Sequence, residues 1–180
     1  MTAPLAPRIR TWHPSPDAAS MALALSKRMQ ELACAAIESR GSASIGLAGG
    51  STPMASYADF AKADMQWQKL KLALIDERFV PLTDSQSNEA NIANAFTGVQ
   101  QQLGAWQGLF SASDTISACA QAANRAIQAF GLPFDTTVIG MGGDGHIASL
   151  FLESQDYEAA MQPDNPHTVV PIRFHGSDAK

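Results

Sequence analysis

His146 closes the run Gly140-Met141-Gly142-Gly143-Asp144-Gly145. An imidazole titrates near neutrality, so it can take and return a proton at working pH. Asp144 stands two positions earlier and can orient the ring. A glycine-rich turn lets such a ring face a pocket. The turn is expected to open a helix, whose positive end would favour the neutral, basic imidazole. The other reading is a capping or packing histidine. The run matches Gly-x-Gly-x-x-Gly, but it is not read as a dinucleotide site. That fingerprint belongs at the first βα turn of its unit, and this run comes late in the chain. Asp144 and His146 also put titratable side chains where a pyrophosphate needs plain backbone. Ser149 follows on the same stretch, as a polar pocket contact or a plain helix serine.

Two further runs could bind an anion. Gly49-Gly50-Ser51-Thr52 precedes Pro53. Glycines admit close approach of backbone N–H groups, a helix start adds positive potential, and the hydroxyls add donors. The alternative is an ordinary tight turn with a capping hydroxyl. It is not a Walker loop, since Gly-x-x-x-x-Gly-Lys-Ser/Thr is absent. Asp76-Glu77-Arg78 offers a guanidinium for an anion and carboxylates that can orient a neighbour; alone, it also reads as a solvated ion pair. His13, His167 and His175 sit in less structured contexts and read as surface residues. No His or Cys pair has metal-ligand spacing, so no metal and no cofactor is expected.

The elements that must position these runs follow from apolar spacing. Ser15-Pro16-Asp17 reads as a helix start with Ser15 as the cap, carrying the stripe Met21, Leu25, Met29, Leu32 and Ile37 to a stop at Gly41. Residues 1–14 read as an irregular lead-in. Strands are expected at Ser44–Leu47, Leu70–Ile75, Thr136–Ile139 and Val169–Ile172. Helices are expected at Pro53–Ala63, at Asn88–Phe96, and from a cap at Asp114 to Gly131. Residues 97–112 remain ambiguous. Strands alternating with helices predict an α/β fold: a Rossmann-like, three-layer parallel sheet with helices on both faces. Ligands of such sheets sit outside the carboxyl ends of the strands, where all three motifs fall.

The chain has 180 residues, 46% hydrophobic and 16% charged, so residues 1–180 read as one domain with a real core. Lys and Arg number 12 against 17 Asp and Glu, a net charge of -5 without any basic run. That argues against nucleic acid as a partner. The N-terminal residues form neither a signal peptide nor a membrane span, so a cytoplasmic location without membrane association is expected. Cys34 and Cys119 read as buried reduced thiols, and their count excludes a disulfide framework. Trp12, Trp67 and Trp106 read as buried.

Leu47-Ala48-Gly49-Gly50-Ser51-Thr52-Pro53, Asp76-Glu77-Arg78-Phe79-Val80-Pro81 with Asp84-Ser85 and Ser87-Asn88, and Gly140 through Phe151 together resemble the 6-phosphogluconolactonase family in order and spacing. The resemblance spans nearly the whole chain. It implies the fold of the sugar-phosphate isomerase superfamily and hydrolysis of 6-phospho-D-glucono-1,5-lactone in the oxidative pentose phosphate pathway. Glucosamine-6-phosphate deaminases share the glycine loop and the Asp-Gly-His element. They typically carry Tyr where Arg78 stands and Ala-Phe-Asn-Glu at Ala148-Ser149-Leu150-Phe151, and both differences favour the lactonase. A non-catalytic sugar-phosphate sensor and an inactive short homologue are the remaining alternatives. Family members usually run longer: His175–Lys180 resembles the beginning of a stretch that a further strand and helix follow, and both are expected to be lacking. The implied partner is a sugar-phosphate lactone, with the protein a monomer or weak homodimer. On this reading His146 is the general base, with Asp144 or Glu77 orienting it. Gly49, Gly50, Ser51, Thr52, Arg78 and Arg173 supply anion contacts. Backbone donors at Gly142, Gly143 and Gly145, or else Arg78, stabilise the oxyanion, and Ser149 lines the pocket. No covalent nucleophile is required, and no Gly-x-Ser-x-Gly elbow occurs.

Overall fold

In a computed structural model, which describes residues 11–173, four parallel strands form one sheet in the order β3-β2-β1-β4. These are β1 (Ala43–Leu47), β2 (Leu70–Leu74), β3 (Ala105–Gln107) and β4 (Thr136–Val138). Five α-helices accompany them: α1 (Ala18–Arg40), α2 (Met54–Phe60), α3 (Asn88–Ala95), α4 (Ile116–Phe130) and α5 (Tyr157–Ala160). The expected parallel α/β architecture is therefore present.

Register decides what the sheet can do. Leu47 pairs with Leu74 on one side and with Val138 on the other. The last residues of three strands are thus neighbours, and the loops that follow them leave from one edge. Alternation along the strands separates two layers. Ile45, Leu72 and Trp106 share one face, where the Trp106 ring meets Phe96, which directly follows α3. Lys71 points the other way and lies 5.8 Å over the ring of Phe130 on α4. The core between the sheet and α1, α2 and α3 includes Met29, Ile37, Ile45, Leu72, Tyr57, Phe60 and Phe96, all buried. Gly46 makes the second layer possible: a Cβ there would lie 2.8 Å from Ile75 and 2.9 Å from Phe134.

Helix ends differ from the sequence expectation by small shifts with clear causes. Asp17, not Ser15, caps α1, accepting from Ser20 N at 2.7 Å. Thr115, not Asp114, caps α4 through Ala118 N at 3.2 Å. In both cases the neighbouring residue has the extended backbone that a cap requires. Gly41 ends α1 in the left-handed region, φ 82°, as expected. Of the predicted stripe only Met29 and Ile37 are fully buried; Ala22, Ser26, Ala33 and Ala36 complete the inward face. Small residues let α1 sit close to α2 and β1.

The expected fourth strand at Val169–Ile172 is not a strand. The amides of Thr168 and Val169 donate instead to the Asn124 side chain on α4, at 2.8 and 3.2 Å. The true fourth strand, β3, lies in the stretch that the sequence left ambiguous. Cys119 is buried, but Cys34 is exposed, contrary to expectation. Trp67 is buried and Trp106 half-buried, whereas Trp12 is 78% exposed. His175 and Lys180 lie outside the described residues.

Candidate active site

The loop after β4 builds the histidine site. Gly142 N–H donates to His146 O at 2.9 Å, and Gly145 N–H to Gly142 O at 3.0 Å. Gly145 adopts φ 89°, which a side chain would resist. The loop therefore folds back on itself, and the imidazole lies over Gly142: a Cβ there would fall 2.3 Å from His146 Cε1. His146 Nδ1 is 2.6 Å from Asp144 Oδ1. An ionised carboxylate only accepts, so Nδ1 is the donor in this contact. The hydrogen bond from His146 holds the Asp144 carboxyl below the usual range. The ring also stacks on Phe151, centroids 4.0 Å apart. No helix begins at His146, in contrast to the expectation; the ring is fixed by the glycine turn, Asp144 and Phe151 instead.

The loop after β2 divides its carboxylates between two tasks. Asp76 Oδ1 accepts from Gly49 N at 3.2 Å, and Oδ2 accepts from Ser149 Oγ at 2.7 Å. One carboxylate thus links the loops after β1, β2 and β4. Glu77 turns away to α3. Its Oε1 accepts from the amides of Arg78 (2.6 Å) and Asn88 (2.7 Å), and its Oε2 from Glu89 N (2.7 Å) and Ser87 Oγ (3.2 Å). Those bonds satisfy amides that the helix start leaves open. Of the two carboxylates expected to orient His146, the one in contact is Asp144. Asn88, buried at the start of α3, donates to Asp76 O at 3.2 Å and fills the space beside Gly49, where a Cβ would fall 2.0 Å from its Oδ1.

Arg78 is half-buried, and its guanidinium has no carboxylate partner among the described residues. It borders a cavity of about 250 Å³ with Asp76, Glu77 and Ser149; Cys119, Ala120 and Ala123 of α4 form apolar wall. His146 and Asp144 border a second hollow of about 230 Å³, and Leu150 lines both. The larger cavity therefore belongs to Arg78 and the smaller to His146. Gly50, Ser51 and Thr52 are exposed and border neither. Arg173 is paired elsewhere, with Asp156. Its guanidinium grips Asp156 at 3.0 and 2.6 Å, which raises the arginine and lowers the carboxyl. Among the turn amides, those of Gly142 and Gly145 are bonded within the turn, and Gly143 is exposed.

Sequence reasoning missed Asp76 as the junction and Asn88 as its support. Both stood in the runs that carry the family resemblance, with Asp76 directly after a buried strand and Asn88 at a helix start, but nothing there assigned them these roles.

The parallel sheet carries a His–Asp pair, an arginine without a carboxylate partner among the described residues, and a glycine loop beyond the carboxyl ends of its strands, an α/β arrangement. The chain belongs to the family described as glucosamine-6-phosphate isomerases/6-phosphogluconolactonase, whose model matches residues 16–178. A 6-phosphogluconolactonase of Rhizobium meliloti is 34% identical over 158 residues, covering 88% of this chain and 68% of the relative. One from Mesorhizobium japonicum is 30% identical over 89% of this chain and 68% of its own length. The crystal structure of a 6-phosphogluconolactonase from Shewanella baltica superposes with a TM-score of 0.83 at 26% identity, covering 91% of this chain and 69% of that one. The chain thus spans about two thirds of the length of these relatives. Among the described residues no helix is long and apolar enough to cross a membrane.

Proposed function

We propose that this chain is a carboxylic ester hydrolase that opens 6-phospho-D-glucono-1,5-lactone to 6-phosphogluconate, the lactone-opening step of the oxidative pentose phosphate pathway. The observation that carries the reading is the His146–Asp144 pair, with Nδ1 engaged by the carboxylate, on the same sheet edge as Arg78, which has no carboxylate partner among the described residues. The names of the relatives support the substrate class.

The chemistry follows from those groups. Asp144 holds the ring and stabilises the imidazolium as it forms. His146 Nε2 takes a proton from water, whose oxygen attacks the lactone carbonyl. The tetrahedral intermediate then breaks its bond to the ring oxygen, and Nε2–H returns the proton to that oxygen. General acid–base help of this kind contributes roughly 10²–10⁴ in rate. Gly143, exposed in the turn before His146, is the candidate backbone donor to the oxyanion; one such donor is worth about 10²–10³. Arg78 takes the phosphate in the cavity it borders with Asp76 and Ser149. Glu77 acts on α3 rather than on the imidazole, and Arg173 acts on Asp156.

The test is production of 6-phosphogluconate from freshly generated lactone, corrected for spontaneous opening. The reading expects turnover well above background and a clear preference over the lactone without phosphate. A rate equal to background contradicts it.

A further inference from the structure

We infer that Ser149 and Asp76 are positioning residues whose hydrogen bond holds the His146 loop in a backbone conformation it would not otherwise keep. The inference rests on the reading of His146 as the proton-transfer group. Ala148 and Ser149 are consecutive residues at φ 47° and φ 60°. Left-handed backbone is unfavourable for any residue with a Cβ, and it persists only where the surroundings over-determine it. Here the tie is Ser149 Oγ–H to Asp76 Oδ2 at 2.7 Å, half-buried.

The tie reaches the catalytic ring through a short path. Leu150 N–H donates to Ile147 O at 2.7 Å, closing the turn around the strained pair. Ile147 bridges back to Met141 as well as to Leu150, and it directly follows His146. Relaxation at 148–149 would therefore release Ile147, then the Gly142–His146 closure, then the ring. The far end of the tie is rigid. Asp76 stands beyond the end of β2, is engaged by Gly49 N–H, and has its backbone oxygen held by Asn88. The same carboxylate thereby keeps the glycine loop and the histidine loop at one fixed separation.

Ser149→Ala and Ser149→Gly in the full chain separate this role from simple packing. Alanine loses the hydrogen bond and keeps the strain. Glycine loses the bond but adopts left-handed backbone freely. Ser149→Ala should lower kcat roughly tenfold or more, as expected for a misplaced catalytic group. KM is also expected to rise, because Ser149 borders the Arg78 cavity, so the diagnostic is the kcat loss together with amide exchange. Amide exchange at Gly142 and Leu150 should rise. Ser149→Gly should recover part of both losses, giving the order Ser, Gly, Ala. A space-filling serine would give the order Ser, Ala, Gly, because glycine removes more contact and loosens the chain. That order overturns the inference, as does unchanged exchange in a folded Ser149→Ala variant. His146→Ala keeps the two questions apart. If turnover is indifferent to His146, the functional reading falls, and the exchange order alone then decides the positioning role.

Discussion

His146 Nδ1 and Asp144 Oδ1 stand 2.6 Å apart, and the bond is made within a single turn. The influence runs both ways: the same bond is the largest cause of the lowered Asp144 carboxyl. His146→Ala should therefore let Asp144 rise toward its ordinary value, measured by carbon-13 NMR titration of the side chain. A folded pKa below the unfolded one means that the contact contributes above the ordinary carboxylate range. Its contribution disappears as pH falls through the lowered value. An Asp144 titration that does not move in the variant would refute the pairing.

Glu77 lies beside the candidate site yet serves the helix. Glu77→Ala removes the acceptor for the amides of Asn88 and Glu89 at once. Hydrogen bonds to a charged group contribute about 1.5–3 kcal/mol each, so losing both amide partners is expected to cost roughly 3–6 kcal/mol in chemical denaturation. Glu77→Gln keeps an acceptor oxygen and should lose less. Loss of turnover without loss of stability would instead give Glu77 a role in the reaction.

Glu89 is the contrasting carboxylate. Burial pushes its pKa up, the Trp106 indole N–H at 3.0 Å opposes that, and the Glu77 charge adds to it. The helix start favours an acid there, but the upward direction says that burial wins. The folded protein therefore binds the Glu89 proton more tightly than the unfolded chain does. Its stabilising effect is complete below the ordinary carboxylate range and lost as pH rises through the raised value. Glu89→Gln keeps an acceptor for Trp106 and should raise Tm at neutral pH, with the gain vanishing in acid. A lower Tm at neutral pH would contradict this balance.

Arg173 and Asp156 form a structural pair. Arg173→Ala should leave kcat and KM close to the parent, while Asp156 returns toward its ordinary pKa. The pair contributes above the carboxylate range and is lost as pH falls through the lowered value. The variant should therefore show a flatter dependence of Tm on pH in acid. A large rise in KM would instead place Arg173 at the substrate.

Much of the fold was legible because apolar runs ending in glycine or charge mark buried parallel strands, as at Ser44–Leu47 and Leu70–Ile75. Strand β3 escaped because Ala105-Trp106-Gln107 is short, half-buried and flanked by Gly104 and Gly108. Val169–Ile172 has strand composition, but nothing local reveals that the Asn124 side chain takes the amide of Val169 together with that of Thr168 before it. The same limit applied at the candidate site. The three motifs could be read, and parallel strands required them to meet. Which of two adjacent carboxylates would face the loops could not be read, since Asp76 and Glu77 differ only in which neighbours the folded chain brings to them. The strain at Ala148 and Ser149 left no mark in residue type at all.

The most direct test of the central claim is kcat for lactone opening in the parent and in His146→Ala, each corrected for the spontaneous reaction. A proton carrier that acts in the transition state predicts a fall of roughly 10²–10⁴ in kcat with KM nearly unchanged. Equal kcat in the two proteins would remove His146 from the reaction and contradict the account.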